Sequence, residues 1–156
     1  MKKINFLTKL KRKGRLQLVD PNEEVMGSYV TKSESNLTSA KILLENMRIE
    51  ESVGLAYYSM YNMLSALLFR TGIKCENHGA AIIILKAVFD IDNESISFAK
   101  KERIDKQYYT GFTIAEKDAK DSIKNAELFN SKVLDFISRL QSNEIELFRK
   151  RLLELS

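Results

Sequence analysis

Apolar side chains recur along most of this chain at alternating spacings of three and four, the period of amphipathic helices rather than of strands. Met26, Val30, Ser33, Leu37, Ala40, Leu44 and Met47 trace one such stripe. Asp20-Pro21-Asn22-Glu23 leads into it with a capping acid, a proline at the first helical position and a glutamate three residues on. The pattern predicts a long helix from about residue 20 to about residue 47. The next stretch differs. Ser52 to Phe69 runs eighteen residues without a charge, between Glu51 and Arg70. That length sits at the lower limit of a membrane span, but Tyr57, Tyr58, Tyr61, Asn62 and three serines would each need a partner in lipid. A helix enclosed by protein on most of its circumference accounts for the same residues. Val53, Tyr57, Met60, Leu64, Leu67 and Leu68 form its core stripe; Tyr58, Asn62, Ser65 and Phe69 form a more polar one that faces a partner or a cleft.

Gly72 ends this central helix and Asn77 caps the next, whose buried side holds Ala81, Ile82, Leu85, Val88 and Phe89. A polar fourth helix is expected over 94–110, closed by Gly111. Thr113-x-x-Glu116 opens a fifth, with Ala115, Ala119, Ser122, Ala126, Phe129, Val133, Phe136 and Leu140 on one stripe. Asn143-x-x-Glu146 starts a last short helix carrying Ile145, Phe148, Leu152 and Leu155. The expected fold is all-α: an antiparallel bundle of four to five main helices with short terminal helices, joined by short connections.

Charge divides the chain. Seven of its 25 basic side chains, and none of its 21 acidic ones, lie in the first fifteen residues. Residues 1–19 therefore read as a basic arm and linker, and residues 20–156 as a single bundle. Such an arm holds phosphates through charge, or simply carries a few residues docked on the core. No apolar run follows it that would make a secretory signal. A single cysteine, Cys75, excludes an intrachain disulfide and suits a reducing, cytoplasmic location.

Several chemistries are unsupported. The six glycines are scattered and build no phosphate loop. One histidine and one cysteine do not make a zinc site, and no Glu-x-x-His pair suggests di-iron, so no metal or cofactor is expected. What remains is Arg70, Asn77 and His78, at the end of the central helix and the start of the next. Histidine moves protons near neutrality, and arginine clamps phosphoryl oxygens as charge builds on them. One histidine does not easily serve as acid and base at once, and a homodimer facing two copies across a cleft would supply both.

Ala56-Tyr57-Tyr58-Ser59-Met60-Tyr61-Asn62-Met63-Leu64-Ser65-Ala66-Leu67-Leu68, followed by Gly72 and His78-Gly79-Ala80, resembles the central helix of the HEPN superfamily (higher eukaryotes and prokaryotes nucleotide-binding). Arg103-Ile104-Asp105-Lys106-Gln107-Tyr108-Tyr109 is similar to the family's Arg-x-x-Ala-Asp-Tyr-like segment, and Thr113 to Ile137 to its last long helix. The likeness covers about residues 22–140. It implies a dimerising helical bundle, often paired with a small nucleotidyltransferase in toxin–antitoxin-like systems. It also implies, for active members, a metal-independent ribonuclease with an Arg…His motif at the dimer cleft. Here that motif falls on Arg70 and His78, as catalytic residues. Asn77, Tyr58, Asn62, Arg103 and Tyr108 are the candidates for contacting RNA or a nucleotide. The sequence departs from the motif in three places. Seven residues separate Arg70 from His78 rather than four to six, Thr71 follows the arginine, and Ala80 stands where some toxin members carry a tyrosine. A non-catalytic module that binds a nucleotide or a partner protein is the alternative.

Overall fold

A computed structural model describes residues 2–108 and 115–156. In chain order the elements are α1 (Lys2–Arg12), β1 (Leu16–Leu18), α2 (Glu23–Glu45), α3 (Ile49–Thr71), β2 (Ile73–Cys75), α4 (His78–Ala87), α5 (Glu94–Tyr108), α6 (Glu116–Arg139) and α7 (Ser142–Leu155). The all-α bundle expected from the periodicity is the observed architecture.

Everything packs around α3. It lies along α2 for most of its length and also meets α6 and α5. Tyr57, Met60, Met63, Leu64 and Leu67 are at most 1% exposed, so this helix is buried on nearly all sides, as its uncharged run requires. No helix among the described residues is long and apolar enough to cross a membrane. A small polar network crosses the core as well. Ser33 Oγ of α2 donates to the Ser59 carbonyl of α3 at 2.6 Å, and Asn130 Nδ2 of α6 donates to Ser59 Oγ at 3.2 Å. Asn130 Oδ1 is buried and has no donor among the described residues.

The N-terminal segment is docked on the bundle, one of the two readings its sequence offered. Leu7, Leu10 and Leu16 belong to the core cluster, because α1 presents leucines three apart to the bundle while its lysines face water. The following residues form β1, antiparallel to β2 with Leu16 opposite Cys75 and Leu18 opposite Ile73. The start of α2 also differs. Asn22, not Asp20, is the N-cap, accepting from the Val25 N–H at 2.9 Å. The chain before it is held extended by Val19 N–H to Gly72 O and Asn22 N–H to Phe69 O.

Gly72 ends α3 in the left-handed conformation, φ 73°. The carbonyls there gain a donor from α7. Arg149 Nη1 donates to Val19 O, Thr71 O and Gly72 O at 2.7, 3.1 and 2.9 Å. Arg151 Nη1 reaches Val88 O, at the end of α4, at 2.6 Å. On α6 the buried face is Ala119, Ile123, Ala126, Phe129, Asn130, Val133 and Ile137. Ala115 and Ser122, expected on that face, are exposed and partly exposed. Gly111 and Thr113, expected to stop α5 and open α6, lie outside the described residues.

Candidate functional site

The site begins with a cap. Asn77 is extended, and its Oδ1 accepts the Ala80 N–H at 2.9 Å. This starts α4 at His78 and turns that ring onto α3. The imidazole stacks on Tyr61, with centroids 3.6 Å apart and planes 13° from parallel. Its Nδ1 is 2.8 Å from Tyr57 Oη, and the Tyr58 ring meets it edge-on at 6.5 Å. Tyr57 and Tyr61 are four residues apart on α3, so both project from one face.

The cations come from α5. Arg103 Cζ lies 4.7 Å from the Tyr58 centroid and 5.7 Å from that of Tyr57, in the range where a guanidinium is held by a ring face. Its Nε is buried with no acceptor among the described residues. Lys100, one turn earlier, brings Nζ to 3.5 Å from the point where a Cβ on Gly79 would stand. That glycine keeps the approach to the start of α4 open.

These neighbours set the protonation states. Burial pushes the His78 pKa down, and repulsion from Arg103 and then Lys100 adds to it. Burial raises Tyr57 strongly and Tyr61 to about 12. At neutral pH the site therefore holds an uncharged imidazole, two intact phenols and a fixed guanidinium. A hydroxyl both donates and accepts. If Nδ1–H donates to Tyr57 Oη, Nε2 is left with a free lone pair that can take a proton. The arginine beside it stabilises an anion.

His78, Tyr58 and Arg103 are thus brought together. Asn77 adjoins them, with its carbonyl oxygen engaged in the cap. Asn62 is buried in α3 at 6% exposure. Arg70 follows Tyr61 by nine residues, two and a half turns, so it leaves α3 on the opposite side. There its Nη2 pairs with Glu23 Oε1 of α2 at 3.3 Å. Among the described residues no contact joins Arg70 to His78. The Tyr108 side chain lies outside the described residues. Tyr57, Tyr61 and Lys100 were not singled out from the sequence. The signal for Tyr57 was a phenol in an apolar stripe, since a buried tyrosine hydroxyl needs a partner.

The sequence pattern of the HEPN domain matches residues 26–137. This chain belongs to the HEPN family. Among its HEPN-like relatives is a UPF0332 protein of Pyrococcus horikoshii, 30% identical over 134 residues, covering 86% of this chain and 89% of the relative. A Methanocaldococcus jannaschii protein, whose name describes it as a candidate toxin, is 28% identical over 121 residues, 73% of this chain and 89% of its own length. A UPF0332 protein of Thermotoga maritima is 26% identical over 129 residues, 78% of this chain and 95% of its own. The HEPN match takes in α3, α4 and α5, and with them every side chain of the site.

Proposed function

We propose that this HEPN protein acts on RNA as a metal-independent endoribonuclease. His78 moves the proton, and Arg103 binds the phosphoryl oxygens of the scissile phosphate. The observation that carries this reading is the Tyr57–His78 hydrogen bond beside a guanidinium whose buried Nε has no acceptor. The ribose 2′-hydroxyl attacks the neighbouring phosphorus as Nε2 of His78 takes its proton, and the 5′-oxygen leaves with a proton from a second donor. That product pair is a 2′,3′-cyclic phosphate and a 5′-hydroxyl. The second donor comes from a second copy facing this one across a cleft, so the working form is a homodimer. Its place is the toxin-like half of a pair with a minimal nucleotidyltransferase. Family membership supports this, together with the toxin name carried by the M. jannaschii relative.

A second reading is favoured by one observation: Arg70, the arginine of the family motif, is held by Glu23. In that reading the bundle binds a nucleotide or a partner protein without cleaving anything.

The test is cleavage of a mixed RNA pool in EDTA by the parent protein and by His78→Ala, Arg103→Gln and Arg70→Ala, with size followed by light scattering. Loss of cleavage in the first two variants, with Arg70→Ala active, is the expected result. Loss in Arg70→Ala with the dimer intact would return the phosphate-binding role to Arg70. An inactive parent protein, freed of any partner, leaves the binding module.

A further inference from the structure

Beside the histidine, at the N-terminal end of α3, lies a cleft of about 340 Å³ lined by Glu50, Glu51, Gly54, Leu55, Tyr58 and Arg103. Its volume sits at the small end of ligand sites, suited to one planar group rather than to a folded partner. We infer that this cleft is a nucleobase subsite that selects guanine. The inference rests on the proposed reading of His78 and Arg103 as the phosphate-handling pair, and it names the base that pair works beside.

Three features of the lining point to a purine. The first is a stacking wall, the Tyr58 ring, with the Arg103 guanidinium 4.7 Å from its centroid marking the phosphate end. Aromatic ring faces are surfaces on which unpaired bases stack. The second is room. A Cβ on Gly54 would meet nothing within 4 Å, so the helix surface there is open to a flat ring, with Leu55 alongside. The third is a change of polarity along α3. Carboxylates stand at Glu50 and Glu51, aromatic rings at Tyr57 and Tyr58, and the cations of α5 beside His78. From Glu50 to Tyr57 the helix rises about 10 Å, the scale of a single nucleotide with its base toward the acids and its phosphate toward Arg103.

The acids choose the base. A carboxylate only accepts, and it offers two oxygens side by side. The Watson–Crick edge of guanine presents two adjacent donors, N1–H and the N2 amino group. Adenine and cytosine present one donor next to an acceptor, and uracil one donor between two acceptors. Glu51 is already engaged, 2.7 Å from Arg48 Nη2. Glu50 has no hydrogen bond or ion pair among the described residues, so it is the carboxylate assigned to the guanine edge. Both acids also favour the start of α3 through its dipole, a role compatible with this one.

Equilibrium binding of the four nucleoside 5′-monophosphates to the full chain tests the assignment without requiring turnover. Guanosine monophosphate is expected to bind about tenfold more tightly than the others, the worth of a hydrogen-bonded pair with a charged acceptor. Glu50→Gln replaces one acceptor with a donor. It should erase that preference and leave adenosine monophosphate binding unchanged. Gly54→Leu fills the cleft and should abolish binding of all four, while its melting temperature holds or rises because leucine is the better helix former. Equal affinity for the four nucleotides, no binding of any, or guanosine binding untouched by both substitutions would overturn the inference. Guanine-selective binding without RNA cleavage would keep the subsite and remove the ribonuclease reading. Cleavage without base preference would do the reverse.

Discussion

The hydroxyl of Tyr57, on a ring with no exposure to solvent, meets Nδ1 of His78 at 2.8 Å. A buried phenol and the chain's single histidine therefore serve each other. The tyrosine gains the partner its burial demands, and the imidazole is fixed in position with one nitrogen committed and the other not. Tyr61 stacks beneath the ring and Arg103 stands to one side. The histidine is thereby held in a setting that disfavours its charged form.

That setting makes stability depend on pH. His78 has a folded-state pKa below its ordinary value of 6.5, through burial first and then Arg103 and Lys100. Below about pH 6.5 the unfolded chain binds a proton that the folded chain refuses. Stability should fall as the pH drops from there, and the fall should level off beneath the folded value. Urea unfolding at pH 7.5 and pH 5.5 should show a larger loss for the parent protein than for His78→Gln. Equal losses in the two would contradict the account.

With one histidine in the chain, its imidazole resonances can be followed without ambiguity. An NMR titration should give a pKa under 6.5 for the parent protein. Arg103→Gln removes a repelling cation and should move it upward, and Lys100→Gln should do so by less. A value unmoved by Arg103→Gln would mean that the guanidinium does not stand where the ring senses it.

Gly72 should tolerate no side chain. Its φ of 73° disfavours any other residue, and a Cβ there would overlap Arg149 Nη1 and the Val19 carbonyl. Gly72→Ala should cost about 3 kcal/mol or more in denaturant unfolding, combining left-handed strain with a displaced arginine. Asparagine accepts this backbone conformation more readily. Gly72→Asn should nevertheless stay well below the parent protein, because it carries the same Cβ. Full recovery in that variant would assign the whole effect to backbone strain.

Asn130 offers a case of the opposite sign. Its Nδ2 donates to Ser59 Oγ while Oδ1 lies buried without a donor among the described residues. Replacing an incompletely satisfied amide by an apolar residue of similar size removes the orphaned acceptor along with a long hydrogen bond. Asn130→Leu should therefore be neutral or stabilising by about 1 kcal/mol. Ser33→Ala leaves the Ser59 carbonyl with one donor fewer and should cost about 1 kcal/mol. Thermal melts of both variants provide the check.

Much of this fold was legible because its boundaries carry local chemistry. Gly72 and Asn77 end α3 and begin α4 through a left-handed backbone and a side-chain cap, both set by the residue itself. What escaped was set by distant partners. Three-residue strands give too few alternations to register as a pattern, so the β1–β2 pairing left no trace. The charges of α1 suggested a phosphate-holding arm and the spacing of Leu7 and Leu10 a docked segment, and sequence alone does not choose between them. On α6 the expected stripe ran through Ser122 and Phe136, one position away from Ile123 and Ile137, which the helix buries. At the site, residue type singled out His78, the polar stripe of α3 Tyr58, and the family resemblance Arg103. Helical phase then separated Arg70 from His78, and that phase depends on where α4 docks rather than on the number of residues between the two.

The hold of Arg149 on Val19, Thr71 and Gly72 has a consequence for synthesis. The arginine follows the first of these acceptors by 130 residues. Domains emerging from a ribosome fold from the N-terminus onward, yet here the β1–β2 strap and the end of α3 wait for the last helix to close them. Until Arg149 clears the exit tunnel, the Val19, Thr71 and Gly72 carbonyls lack the shared donor that joins them. A nascent chain of this protein thus ties β1 to the end of α3 through Arg149 only once α7 has emerged.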